Sequence, residues 1–214
     1  MASNNYIFKM SNAGGMATVT RYTDMLAGNT TWNPWEPDGA YDSLATVTVP
    51  SGGLASITFA GIPNTYKHLQ VRFMSRCTAT GNASVNYVAT GRIRFNNDTS
   101  SSYNSHWLDG NGSSASAGNF GVDTSMALAD LGGVFAASAS QFFATGVIDV
   151  LDYANSTKNK TVRILNGQDR NGFGRIQLQS GLWFATPAAV NTMTFTTDGT
   201  AYAEGSQFSL YGVK

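Results

Sequence analysis

Apolar and polar residues alternate with a period of two on either side of a break between Leu54 and Met74. In the first segment Ile57 and Phe59 point one way and Ser56 and Thr58 the other. In the second, Leu69, Val71 and Phe73 alternate with His68, Gln70 and Arg72. An extended chain sends successive side chains to opposite faces, so both segments predict half-buried antiparallel strands. Between them Gly61, Pro63 and Asn64 interrupt helix and strand alike and favour a turn. Tyr66 follows, placed to close that corner with its ring.

The same pattern runs through the chain from Ser43 onward. SLATVTV ends at Pro50, with SGG as the turn. VNYVATGRIRFN directs Ile93 and Phe95 inward and Arg92 and Arg94 outward, and Gly91 marks a bulge or a close backbone approach. The loop NNDTSSSYNS leads to His106, Trp107 and Leu108; DGNGSSASAGNFG then reads as a long glycine-serine loop, and MALADL as one helical turn before Gly132 and Gly133. QFFATGVIDVLDY predicts a strand buried on both sides for part of its length. Lys160–Leu165 and Arg175–Phe184 alternate clearly, and Val190–Thr197 and Gln207–Val213 close the set. About eight to ten short strands with no long helix and no βαβ unit predict an all-β, two-sheet antiparallel jelly-roll sandwich. An immunoglobulin-type sandwich fits less well, because its domains need only about 100 residues.

Residues 1–42 break the pattern and read as an irregular N-terminal arm, leaving 43–214 as the sandwich domain. Tyr6, Ile7 and Phe8 suit a short strand. Met16, Val19, Tyr22 or Thr23, and Leu26 have helical spacing ending at Gly28, a C-cap residue, although Val19, Thr20 and Tyr22 are weak helix formers. TTWNPWEPDGAYD sets Trp32 and Trp35 among prolines, in a segment suited to neither helix nor ladder. Exposed tryptophans need a surface to dock on. The arm therefore either interlocks with a neighbouring subunit or docks on its own domain. The candidate partner-binding residues are Tyr6, Phe8, Met16, Tyr22, Met25, Leu26, Trp32 and Trp35.

Composition sharpens this picture. Charged residues make up 12% of the 214, against a usual share of about 25%, and Ser, Thr, Asn and Gln supply the polar surface instead. Thirteen basic and thirteen acidic residues cancel, which argues against nucleic acid or an anionic membrane as the main partner. Cys77 is the single cysteine, so the chain has no internal disulfide framework, and it reads as a small semi-buried thiol. The opening MASNNYIFKM lacks the basic start and apolar run of a signal peptide, so folding in a cytoplasm is expected.

Candidate chemistry is sparse. His68 and His106 lack the spacing of a zinc site, and no GxSxG elbow, phosphate loop or dinucleotide fingerprint occurs. Asp149, Asp152 and Asp169 suggest a carboxylate pair for hydrolysis, but an acidic residue at a strand end is the commoner reading. Asp109-Gly110-Asn111-Gly112 begins like a calcium loop but lacks its closing glutamate, and reads as a turn. Arg92, Arg94, Arg163, Arg170 and Arg175 admit a basic stripe, but on a chain without net charge they are expected on a solvated sheet face. Tyr103, Trp107, Phe120 and Phe173 beside polar loops admit a glycan-binding reading, with ring cover of the sandwich ends as the alternative. No enzymatic activity, cofactor or metal is expected.

Three stretches carry a resemblance: YIFKMSNAGGMATVTRYTDMLAGN, ITFAGIPNTYKHLQVR and GSQFSLYGVK. Together they resemble virion structural proteins of tailed bacteriophages, often of aquatic and cyanobacterial hosts. The resemblance implies a virion location after assembly in the host cytoplasm and a non-enzymatic role. The expectation is a capsid decoration (cement) protein bound to the major capsid protein and to copies of itself. The alternative is a tail-associated fibre, spike or adaptor protein whose sandwich binds a receptor glycan.

Overall fold

The computed structural model describes residues 40–80, 88–136, 141–170, 172, 174–198 and 200–214, and the backbone of two short strands before them. The chain divides into two units, Met1–Ala40 and Tyr41–Lys214. In the first, β1 (Tyr6–Lys9) pairs antiparallel with β2 (Thr18–Arg21). Over Thr18–Arg21 the chain is extended where helical spacing was expected, since Thr18, Val19 and Thr20 are β-branched; the rest of the stretch from Met16 to Leu26 lies outside the described residues.

The second unit holds β3 (Tyr41–Thr48), β4 (Ser56–Ala60), β5 (His68–Ser75), β6 (Val88–Phe95), β7 (Tyr103–Gly110), β8 (Ala115–Asn119) and β9 (Met126–Val134). It continues with β10 (Ala144–Leu151), β11 (Lys160–Asp169), β12 (Gly174–Trp183), β13 (Thr192–Thr197) and β14 (Gln207–Val213). Tyr41 and Asp42, read with the arm, belong to β3. All pairings between these strands are antiparallel. They form an eight-stranded sheet in the order β3-β14-β5-β10-β11-β12-β7-β8 and a four-stranded sheet in the order β4-β13-β6-β9. The protein is an all-β sandwich. β3, β4, β5 and β6 alternate between the two sheets, as do β9, β10, β13 and β14; the pairs β7-β8 and β11-β12 are insertions that both extend the large sheet.

The core lies between the two sheets, with β14, β5 and β10 joined on the large-sheet side by Val162 and Ile164 of β11, Trp183 of β12 and Tyr103 of β7. Leu69, Val71 and Phe73 face inward as their period demands, and so do Ile57, Phe59, Ile93 and Phe95. Phe208 joins the layers, stacked on Phe73 at 5.7 Å and tilted against Phe195 at 5.4 Å, with Phe195 edge-on to Phe59 at 6.0 Å. Such aromatic pairs add about 0.5–1.5 kcal/mol each beyond the area they bury. Tyr66 closes its corner over Gly212, where a Cβ would lie 2.5 Å from the ring. Cys77 is fully buried, not semi-buried, and burial pushes its thiol pKa up.

Three further elements depart from expectation. MALADL is not a helical turn: Met126–Val134 is a strand buried along all nine residues, so alternation is absent and the pattern cannot show extended backbone. Asp130 at φ +64 and Gly133 at φ +94 bulge it away from β6, whose ladder shifts register between Ala89 and Gly91. The glycine-serine loop contains β8, a strand of small residues paired with β7, and His106, Trp107 and Leu108 lie inside β7. β10 is buried on one face only, through Ala144, Ile148 and Val150, while Thr145 and Leu151 are exposed.

Candidate interaction face

Cross-strand register places the outward residues of the large sheet in rows. One row reads Ser209, Arg72, Val147, Leu165, Leu178, Leu108 and Ala117. A second, two residues along, reads Met74, Thr145, Gly167, Ile176, Gly110 and Ala115. On the other side come Gln70, Asp149, Arg163, Ser180 and His106, and then Leu151, Thr161, Leu182 and Asn104. Leu108, Leu165, Leu178 and Ile176 are 51–61% exposed, and neighbours in these rows, so the inserted strands present one contiguous apolar face. A groove of about 950 Å³ follows the second row, walled by Thr145, Leu165, Gly167 and Ile176 with Asp169 and Arg175 at its rim.

Over part of their length the inner side of the same strands is polar, through Asn166 and Gln168 on β11 and Gln177 and Gln179 on β12. On β12, Gln177 and Gln179 are buried while Ile176, Leu178 and Leu182 look outward, the reverse of the usual sandwich arrangement. The cause is β9, which ends the small sheet and offers a free edge beneath the inserted strands. Gln179 accepts from the Ala129 amide through Oε1 (3.1 Å) and donates to its carbonyl through Nε2 (3.1 Å), acting as a missing strand. Asn166 Nδ2 donates to the same carbonyl, and Ser105 Oγ donates to Ala127 O at 2.7 Å. Inward amides thus satisfy backbone groups that neither ladder reaches.

The bulge of β9 delivers Asp130 to Arg175, whose Nε donates to both carboxylate oxygens at 3.0 and 3.1 Å. Burial pushes the Asp130 carboxyl up and Arg175 opposes it, so the pair is held by geometry inside the extension. On the outer face Arg163 pairs with Asp149 at 2.8 Å, Gln70 Nε2 donates to Asp149 at 2.9 Å, and Arg72 donates to Gln70 at 2.9 Å. The Arg72 guanidinium also lies over the rings of Tyr41 and Tyr211 at 5.2 and 4.7 Å.

The residues singled out from sequence fall elsewhere. Tyr6 and Phe8 lie on β1, but their side chains, with Met16, Tyr22, Met25, Leu26, Trp32 and Trp35, are outside the described residues, as is Phe173. Tyr103 begins β7 beside the polar loop, and its hydroxyl donates to Asp98 O of that loop at 3.2 Å. It is a fully buried core residue stacked on Trp183 at 6.3 Å. Trp107 is on the inner side of β7 against Gly118, while Phe120 is exposed just after β8. Asp152 ends its strand at φ +51 and pairs with Lys158 at 2.9 Å. Asp169 lies six residues along β11 from Arg163, the partner of Asp149, so roughly 20 Å separates those carboxylates at the usual rise per residue. His68 Nδ1 accepts from the Asp152 amide at 2.9 Å, and His106 stands on the outer face of β7. Asn111 Oδ1 accepts from Ser113 and Ser114 in the β7-β8 turn, as a plain turn requires.

The arginines form no single stripe. Arg92 pairs with Asp123 (2.6 Å) and Asp198 (2.9 Å) and Arg94 donates to Thr124 O, both on the small sheet, whereas Arg175 turns inward. Among the described residues no group of three His, Cys, Asp or Glu is placed to hold a metal ion.

The apolar face, the inward amides and the Asp130–Arg175 pair escaped the sequence reading. Their one signal is the alternation of glutamine with leucine along β12, which carries the period without its direction. Comparison with protein-family models, curated proteins and solved structures finds no match.

Proposed function

We propose that this chain is a structural protein of a tailed-bacteriophage virion, serving as a capsid decoration (cement) protein, with the apolar outer face of the inserted strands as its assembly contact. The face carries the reading. A contiguous apolar surface across β11, β12 and β7 lies outside the protein's own core and matches the centre of an interface in being apolar and poor in charge. The order β3-β14-β5-β10 over β4-β13-β6-β9 supports a jelly roll, since two interlocked Greek keys give that order, and jelly rolls recur among shell proteins. Poverty in charge lets neighbours pack at close quarters. The resemblance of the opening, middle and closing stretches supplies the virion.

Particles lacking this protein test the proposal. Purified wild type is expected to bind them in hundreds of copies and raise their heat resistance, while Leu165→Glu together with Leu178→Glu leaves a folded chain that binds poorly. Binding limited to a few or tens of copies would transfer the protein to the tail. Full binding and protection by the double variant would remove the face from the contact.

A further inference from the structure

We infer that the apolar outer face takes a second copy of this chain, sheet on sheet about a two-fold axis near Leu178; the inference rests on reading this face as an assembly contact. The strands beneath it, β10, β11, β12 and β7, are each paired on both sides, so a partner meets side chains only and not backbone edges. Sheets meeting this way pack about 10 Å apart with interdigitating side chains.

Size fits a dimer contact. From β5 to β8 the face spans five strand spacings, and from Ile176 to Leu182 six residues, which gives roughly 500 Å² of sheet plane. Side chains standing out of that plane bring the accessible surface toward the ~800 Å² per partner of a stable interface.

Charge favours a copy over a foreign partner. The face carries Arg72, Asp149, Arg163 and Asp169, two of each sign, with Asp149 and Arg163 already paired. It has no surplus charge for an oppositely charged partner to answer. The chain is neutral overall, so two copies meet without net repulsion. The layout is also self-complementary: Leu165 and Leu108 flank Leu178 across the strands, and Ile176 and Leu182 flank it along its own strand. A two-fold axis there sets each apolar row against its own copy.

Sedimentation of the full chain across the micromolar range is expected to show a dimer that Leu178→Glu converts to a monomer that still unfolds in one cooperative thermal transition. Where Leu178→Glu fails to fold, Leu165→Gln with Leu178→Gln reads the same contact. Mild oxidation of Leu178→Cys is expected to give a disulfide-linked dimer, since residues beside a two-fold axis meet themselves. Thr58→Cys, on the exposed side of the small sheet, is expected to stay monomeric on the same gel, and Cys77 is buried. A wild-type monomer at all concentrations overturns the inference, as does a dimer that the face variants leave intact. A monomer that still binds particles through this face would sink the dimer and keep the proposed function; a dimer that binds no particle would do the reverse.

Discussion

Asp98 holds the turn between β6 and β7 and shows how single residues organise this charge-poor chain. Its carboxylate accepts from the Ser100 amide (2.9 Å), the Ser100 and Ser102 hydroxyls (both 2.6 Å) and the indole Nε1 of Trp183 (2.7 Å). Burial pushes this carboxyl up, but the hydrogen bonds from Ser100, Ser102 and Trp183 outweigh it and hold the group well below the usual carboxylate range. A carboxyl depressed on folding contributes stability above its unfolded pKa and loses it as pH falls toward the folded value. Asp98→Asn should therefore lower stability by about 1–3 kcal/mol at neutral pH, the scale of hydrogen bonds to a charged group. Its deficit against wild type should narrow as pH falls below about 4, where the unfolded carboxyl titrates. Urea titrations of both proteins at neutral and acid pH measure this. A deficit that stays constant with pH would mean that the charge is immaterial and only the shape of the turn counts.

At the scale of the element, the edge of β9 decides how the inserted strands are built. Gln179→Leu keeps the size of the side chain and removes its amide, leaving the Ala129 N–H without its acceptor, at a cost of about 1–3 kcal/mol. Hydrogen exchange should then quicken at Ala129 ahead of the rest of the sheet; unchanged protection would mean that the edge is closed some other way. Arg175→Met strands the Asp130 carboxylate in the interior and should cost about 3–5 kcal/mol, read from the same urea titrations. A loss under 1 kcal/mol, the scale of a surface ion pair, would show that water reaches the pair. These elements also mark what was legible in the sequence. β4, β5 and β6 bury one face each, so their alternation gave both existence and direction. β9 buries every side chain, and its Met, Ala and Leu residues suit a helix locally; only the tertiary cover makes it a strand. β8 offers small residues alone, without any period. β12 alternates as well as any strand, yet hydrophobic-in logic turns it the wrong way, because its inward side must hydrogen-bond an edge. That reversal hid the candidate face.

For the whole molecule, the question is where the self-sufficient sandwich begins. β3 is the edge strand of the large sheet, paired to β14 from Gln207↔Thr48 to Val213↔Tyr41. Its inward Leu44 and Val47 pack against the core, and its first residues tie down the far end of the chain: Asp42 pairs with Lys214 at 3.1 Å, and Tyr41 lies under Arg72. Each side chain is small in effect, but the ladder covers one flank of β14, which carries Phe208, the ring that joins both layers. Residues 41–214 should accordingly unfold in one cooperative thermal transition, whereas residues 49–214, which lack β3, should expose the β14 edge and aggregate or melt without cooperativity. Calorimetry on the two truncated chains makes the comparison. If 41–214 shows no cooperative transition, the first forty residues are part of what folds the sandwich, and Trp32 and Trp35 become candidates for its stability before any contact between copies.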